Sequence, residues 1–61
     1  MKLNIQKGKD WADLELFGWT VELTGDYDGR TVTVDIPASI ARAVGIFLLD
    51  VDRQYREREE A

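Results

Sequence analysis

The chain has no cysteine and no histidine. Those two absences exclude disulfides, thiolate chemistry, imidazole catalysis and zinc sites of the usual ligand set. There is one proline and there are five glycines among 61 residues, with 44% hydrophobic and 33% charged side chains, a composition that folds rather than one that stays disordered. No stretch approaches the ~18 apolar residues that span a bilayer, and MKLNIQKGKD has no apolar run of signal-peptide length, so a cytoplasmic, non-membrane address is expected. At this length one small domain, residues 1–61, is expected, and folding should bury roughly 60% of the surface an extended chain exposes. A core of that size supplies only ~3–5 kcal/mol, and chains this short lean on disulfides, a metal or a second chain. With disulfides and the usual zinc ligands gone, oligomerisation is left.

The net charge is −4 and unevenly spread. Lys2, Lys7 and Lys9 sit near the start without an acid among them. Asp10, Asp13, Glu15, Glu22, Asp26, Asp28 and Asp35 follow against Arg30 alone. This acidic middle repels phosphate backbones and suits a basic partner.

Leu3 and Ile5 alternate with Lys2, Asn4 and Gln6, the period-2 pattern of a half-buried strand. Lys7-Gly8-Lys9-Asp10 breaks it with a turn in which Gly8 takes positive φ. Trp11 to Thr24 is β-rich but changes phase: Leu14 and Leu16 are even, whereas Phe17, Trp19, Val21 and Leu23 are odd. A straight strand would expose one of these sets. Gly18 sits at the flip, so the expectation is one strand kinked at a bulge, with a break into two strands as the alternative. Thr24 to Arg30 reads as a loop around Asp28-Gly29, and Thr31 to Ile36 as a strand with Val32, Val34 and Ile36 on one face.

Pro37 suits the first position of a helix, with Asp35 and Ser39 as candidate caps. Ile40, Val44, Phe47, Leu48, Val51 and Tyr55 recur at spacings of three and four, which predicts one helix from Ala38 to about Glu59. Asp52 with Arg56, Arg53 with Glu57, and Arg56 with Glu60 are i,i+4 pairs along it. The predicted fold is α+β: a three-stranded antiparallel meander followed by one long C-terminal helix packed across a sheet face. Trp11 and Trp19 are assigned to core volume.

Ala43 to Leu49 is a run of seven residues without charge. At ~100° per residue, Ile46 and Leu49 fall opposite the Ile40–Tyr55 seam, so no single sheet covers both. Arg42, Gly45, Ile46, Leu49 and Arg53 therefore form the candidate partner-binding surface, with Gly45 permitting close approach of another backbone. A kink at Gly45, or ordinary exposure of single apolar residues, is the plainer account. Asp26, Asp28 and Gly29 begin like a calcium loop, but strands flank them and turn chemistry explains them. Neither a nucleophile with an activating base nor a glycine-rich phosphate loop is present, and so small a chain encloses little cleft. No catalytic residue, metal site or cofactor is assigned.

Thr31 to Val44, TVTVDIPASIARAV, resembles the strand-then-helix opening of ribbon-helix-helix repressors. That resemblance implies a dimeric DNA-binding regulator in which outward strand residues, here Thr31, Thr33 and Asp35, read DNA and a second helix follows a turn. The main expectation is a non-catalytic, self-associating protein-interaction module, of the accessory or inhibitory kind that phages and other mobile elements encode.

Overall fold

The computed structural model describes residues 1–60, apart from the side chain of Glu60. Four strands, β1 (Lys2–Lys7), β2 (Asp10–Phe17), β3 (Thr20–Tyr27) and β4 (Arg30–Pro37), form an antiparallel sheet in the order β1-β2-β3-β4. A 3₁₀ turn over Ala38–Ile40 leads directly into α1 (Ala41–Glu60). The α+β class and the single C-terminal helix match the sequence reading, and the number of strands does not.

The difference lies at Gly18. The segment from Trp11 to Thr24 is two strands, not one kinked strand, joined by a two-residue turn at Gly18-Trp19. A two-residue hairpin loop pairs each even residue with an odd one, as Leu16 with Val21 and Leu14 with Leu23. The phase flip is thus the hairpin itself, with Leu14, Leu16, Val21 and Leu23 on one face, Phe17 on the other and Trp19 in the turn. Gly18 has φ +59° while Trp19 stays out of the positive-φ region, the pattern of a type II′ turn. Gly8, at φ +62° before Lys9, repeats it. At the third turn Asp28 (φ +54°) and Gly29 (φ +78°) are both left-handed, as type I′ requires. Only these two residues form the loop. Thr24–Tyr27, expected to be loop, belongs to β3, because Asp28-Gly29 reverses the chain without help from its neighbours.

The three turns fall ten residues apart and sort the side chains by parity. One face carries the rows Leu16–Val21–Ile36, Leu3–Leu14–Leu23–Val34 and Ile5–Ala12–Gly25–Val32. The other carries Lys2–Glu15–Glu22–Asp35 and Asn4–Asp13–Thr24–Thr33, with Asn4 donating to Asp13 and the two threonine hydroxyls 3.1 Å apart. The sheet is apolar on one side and polar on the other.

Pro37 keeps an extended conformation (φ −60°, ψ 140°) as the last residue of β4, so it does not open the helix as expected. Neither Asp35 nor Ser39 caps the 3₁₀ turn, which has no side-chain cap. The Ala38 N–H instead donates to the Trp19 carbonyl at 2.8 Å, which satisfies one of the free donors at the start of the turn. Trp19 stands in the second turn and is 80% exposed, and Trp11 is half-buried on the polar face, so neither contributes core volume as expected.

The larger departure is that the helix does not pack across the sheet. Beyond the 3₁₀ turn it grows from, α1 has no extended contact with another element. Among the described residues no hydrophobic side chain is buried. The chain measures 42 × 27 × 19 Å, with a radius of gyration of 13.1 Å against about 10.5 Å for a compact chain of this length. An accessible surface of 5686 Å² compares with about 10,000 Å² for the extended chain, so folding covers less than half of it and not the usual ~60%. The connection from β4 to α1 is the three-residue 3₁₀ turn Ala38–Ile40, which carries the helix away from the sheet and not back across it.

Candidate functional site

The apolar pattern of α1 survives intact on its surface. Ile40, Phe47, Leu48, Val51 and Tyr55 of the seam are exposed, and Val44 alone is half-buried. Ile46 and Leu49, on the opposite side, are 59% and 71% exposed. The stretch from Ala43 to Leu49 is therefore apolar around its whole circumference and, apart from Val44 and Gly45, exposed, which is unusual for a helix in water.

Each candidate partner-binding residue falls on α1, and the helix brings them to one face. Arg42, Ile46, Leu49 and Arg53 follow one another at spacings of three and four, with Gly45 at the border of the stripe. A β-carbon added at Gly45 would meet nothing within 4 Å, so no contact inside the chain demands glycine there. The helix runs through it without interruption. That continuity departs from the ribbon-helix-helix pattern, in which a turn separates two helices.

Electrostatics confine this surface at its C-terminal end. Arg53 bridges Asp50 one turn back and Glu57 one turn on, the latter at 3.7 Å. Asp50 also accepts from the Gln54 amide at 3.0 Å. Hydrogen bonding from Arg53, then its positive charge, then the Gln54 hydrogen bond hold the Asp50 carboxyl below the ordinary aspartate range. Arg56 Nε donates to Asp52 at 3.0 Å. These i,i+4 and i,i+3 pairs are exposed to solvent screening, and each adds little to helix stability. The third pair anticipated from sequence, Arg56 with Glu60, lies outside the described residues.

The second bare surface, the apolar sheet face, has no counterpart among the sequence-assigned residues. Leu3, Ile5, Val32 and Val34 are exposed on it, and Leu14, Leu16, Val21 and Leu23 are half-buried. Small residues in the Ile5–Ala12–Gly25–Val32 row leave a shallow depression of ≈ 250 Å³ between Ala12, Leu23, Gly25, Val32 and Val34. Gly25 is fixed by close approach, because a β-carbon there would stand 3.1 Å from the Trp11 carbonyl oxygen. The signal for this face was the alternation of apolar parity from strand to strand, legible once each turn is counted as two residues.

The polar face sets three carboxylates side by side across β2, β3 and β4: Glu15, Glu22 and Asp35. Lys2 reaches Glu15 at 4.0 Å from the sheet edge. Like charges directly opposite one another destabilise a sheet, and they give this face the sign that attracts a basic surface and repels phosphate. Among the described residues no acidic group is arranged to hold a metal ion, and no helix is long and apolar enough to cross a membrane.

Compared with protein-family models, curated proteins and solved structures, the chain has no significant match to any of them.

Proposed function

We propose that the chain is a non-catalytic protein-interaction module that associates with itself through its C-terminal helix. One observation carries this reading: a 20-residue helix with apolar side chains on opposite sides, none of them buried within the protomer. Arg42, Gly45, Ile46, Leu49 and Arg53 make the outer contact stripe, along which a second helix would approach closest at Gly45. The acidic sheet face stays in solvent and suits a basic protein, as an accessory or inhibitory protein would require. The carboxylate row across β2–β4 and the uninterrupted helix argue against a DNA-binding regulator of the ribbon-helix type.

The test is sedimentation velocity over a range of concentrations for the wild type beside Ile46→Asp and Leu49→Asp. The expected result is a wild-type particle of twice the 7.0 kDa chain mass and variants shifted toward the single-chain mass. A wild type that sediments as one chain at every concentration ends the proposal.

A further inference from the structure

Each protomer leaves bare both halves of one interface: an apolar sheet face with no helix on it, and an apolar helix seam with no sheet beneath it. We infer that two copies exchange helices, the Ile40–Tyr55 seam of each lying on the apolar sheet face of the other. The inference rests on the self-association proposed above and specifies which surfaces meet.

Dimensions support the fit. The seam from Ile40 to Tyr55 spans ~22 Å at ~1.5 Å per residue, and an eight-residue strand spans ~27 Å at ~3.4 Å per residue. The charged turns past Tyr55 then project beyond the sheet, where the ion pairs of Arg53 and Arg56 remain in water. The depression between Ala12, Gly25 and Val32 gives the sheet a recess for a large side chain, and Phe47 and Tyr55 are the large residues of the seam.

Area points the same way. A compact chain of 7.0 kDa exposes about 4,000 Å², and this one exposes 5686 Å². The excess is about 1,600 Å² per protomer, or about 3,200 Å² for two, within the range of permanent homodimers. A sheet-on-sheet pair would leave both helix seams bare, and a pair of helices alone would leave both sheet faces bare. Reciprocal exchange covers the two together and closes by a two-fold axis without leaving a surface to propagate. The connection is compatible with it as well, since the three-residue turn Ala38–Ile40 directs the helix away from its own sheet. With the seams so placed, the Ile46–Leu49 stripes face away from the sheets and toward each other.

The experiment uses unmodified protein. Chains labelled with ¹³C are mixed with unlabelled chains, unfolded together and refolded, and isotope-filtered cross-peaks are recorded between protomers. The expected cross-peaks join the Phe47 and Tyr55 rings of one chain to the methyl groups of Leu14, Leu23 and Val34 of the other. If those contacts appear only in uniformly labelled samples and not across the filter, the helix folds onto its own sheet and exchange is wrong. If the protein is dimeric and the contacts appear in neither, association survives and the exchanged geometry does not. If it is monomeric throughout, both readings fail together and the bare faces belong to a different protein. The chain has no native cysteine, so a mixture of Leu23→Cys and Leu48→Cys chains gives a second readout: oxidation should yield a disulfide-linked species of twice the chain mass, absent from either variant alone.

Discussion

Replacing Leu48 with alanine separates a lone chain from a paired one, because only in the paired state does the change weaken an association equilibrium. Leu48 is 57% exposed in the protomer, so in a monomer the change removes only the part already covered, worth ~1 kcal/mol and partly offset by alanine's higher helix propensity. In the associated state the exposed part of the side chain is covered. Leucine exceeds alanine by three carbons, worth ~2.4 kcal/mol at ~0.8 kcal/mol per buried carbon. Scaling by the fraction that association newly covers gives ~1.4 kcal/mol per protomer, and the two-fold axis doubles this to ~3 kcal/mol per dimer. At 1.4 kcal/mol per tenfold, the dissociation constant should rise ~100-fold. Sedimentation equilibrium of wild type and Leu48→Ala measures that ratio. Equal constants, or a variant that unfolds at higher urea without any change in mass, would refute the reasoning.

Gly45→Ala should raise the intrinsic stability of the helix by ~1 kcal/mol while weakening association, because a methyl group enters the space left for a second backbone; circular dichroism at low and high concentration separates the two effects. Gly18→Val should cost ~1–2 kcal/mol in urea unfolding, since a β-branched residue is forced to φ near +59°. Asp50 has its carboxyl pKa lowered in the folded chain, so its contribution is complete above the ordinary aspartate range and disappears as pH falls through the lowered value. Helix ellipticity should therefore decline below about pH 4 in the wild type, and Asp50→Asn should lack that part of the decline.

Most of the fold was written locally. Gly8 and Asp28-Gly29 identify their turns by the positive φ those positions need, Thr31–Ile36 shows its two faces by alternation, and the helix shows its length by the recurrence from Ile40 to Tyr55. The strand count was hidden at Gly18-Trp19, where a bulky aromatic in the second turn position imitates a continuing strand. The turn is decided by the glycine before it, and Trp19 can be large because its side chain points into solvent. Where the helix goes was not local information at all. Its amphipathic seam demands some apolar surface, and a sheet from either copy satisfies the pattern equally. The direction is set by the 3₁₀ turn Ala38–Ile40, which the sequence reading took as part of the helix and which points α1 away from its own sheet. The candidate stripe on the helix was legible because Ile46 and Leu49 oppose the seam. The apolar sheet face was legible only in its outer strands, through Leu3 and Ile5 and through Val32, Val34 and Ile36, because joining Leu14 and Leu16 to Val21 and Leu23 requires the turn at Gly18-Trp19.

The central claim is that one chain alone lacks a core and that a second copy completes it. Urea unfolding monitored at protein concentrations tenfold apart tests it most directly. A dimer that unfolds to separate chains gains ~1.4 kcal/mol per tenfold in concentration, which moves the midpoint upward by roughly 0.5–1.4 M at the urea dependence of small proteins, ~1–3 kcal/mol per M. A cooperative transition whose midpoint stays fixed across that range would show a protomer that is stable alone, and would contradict the account.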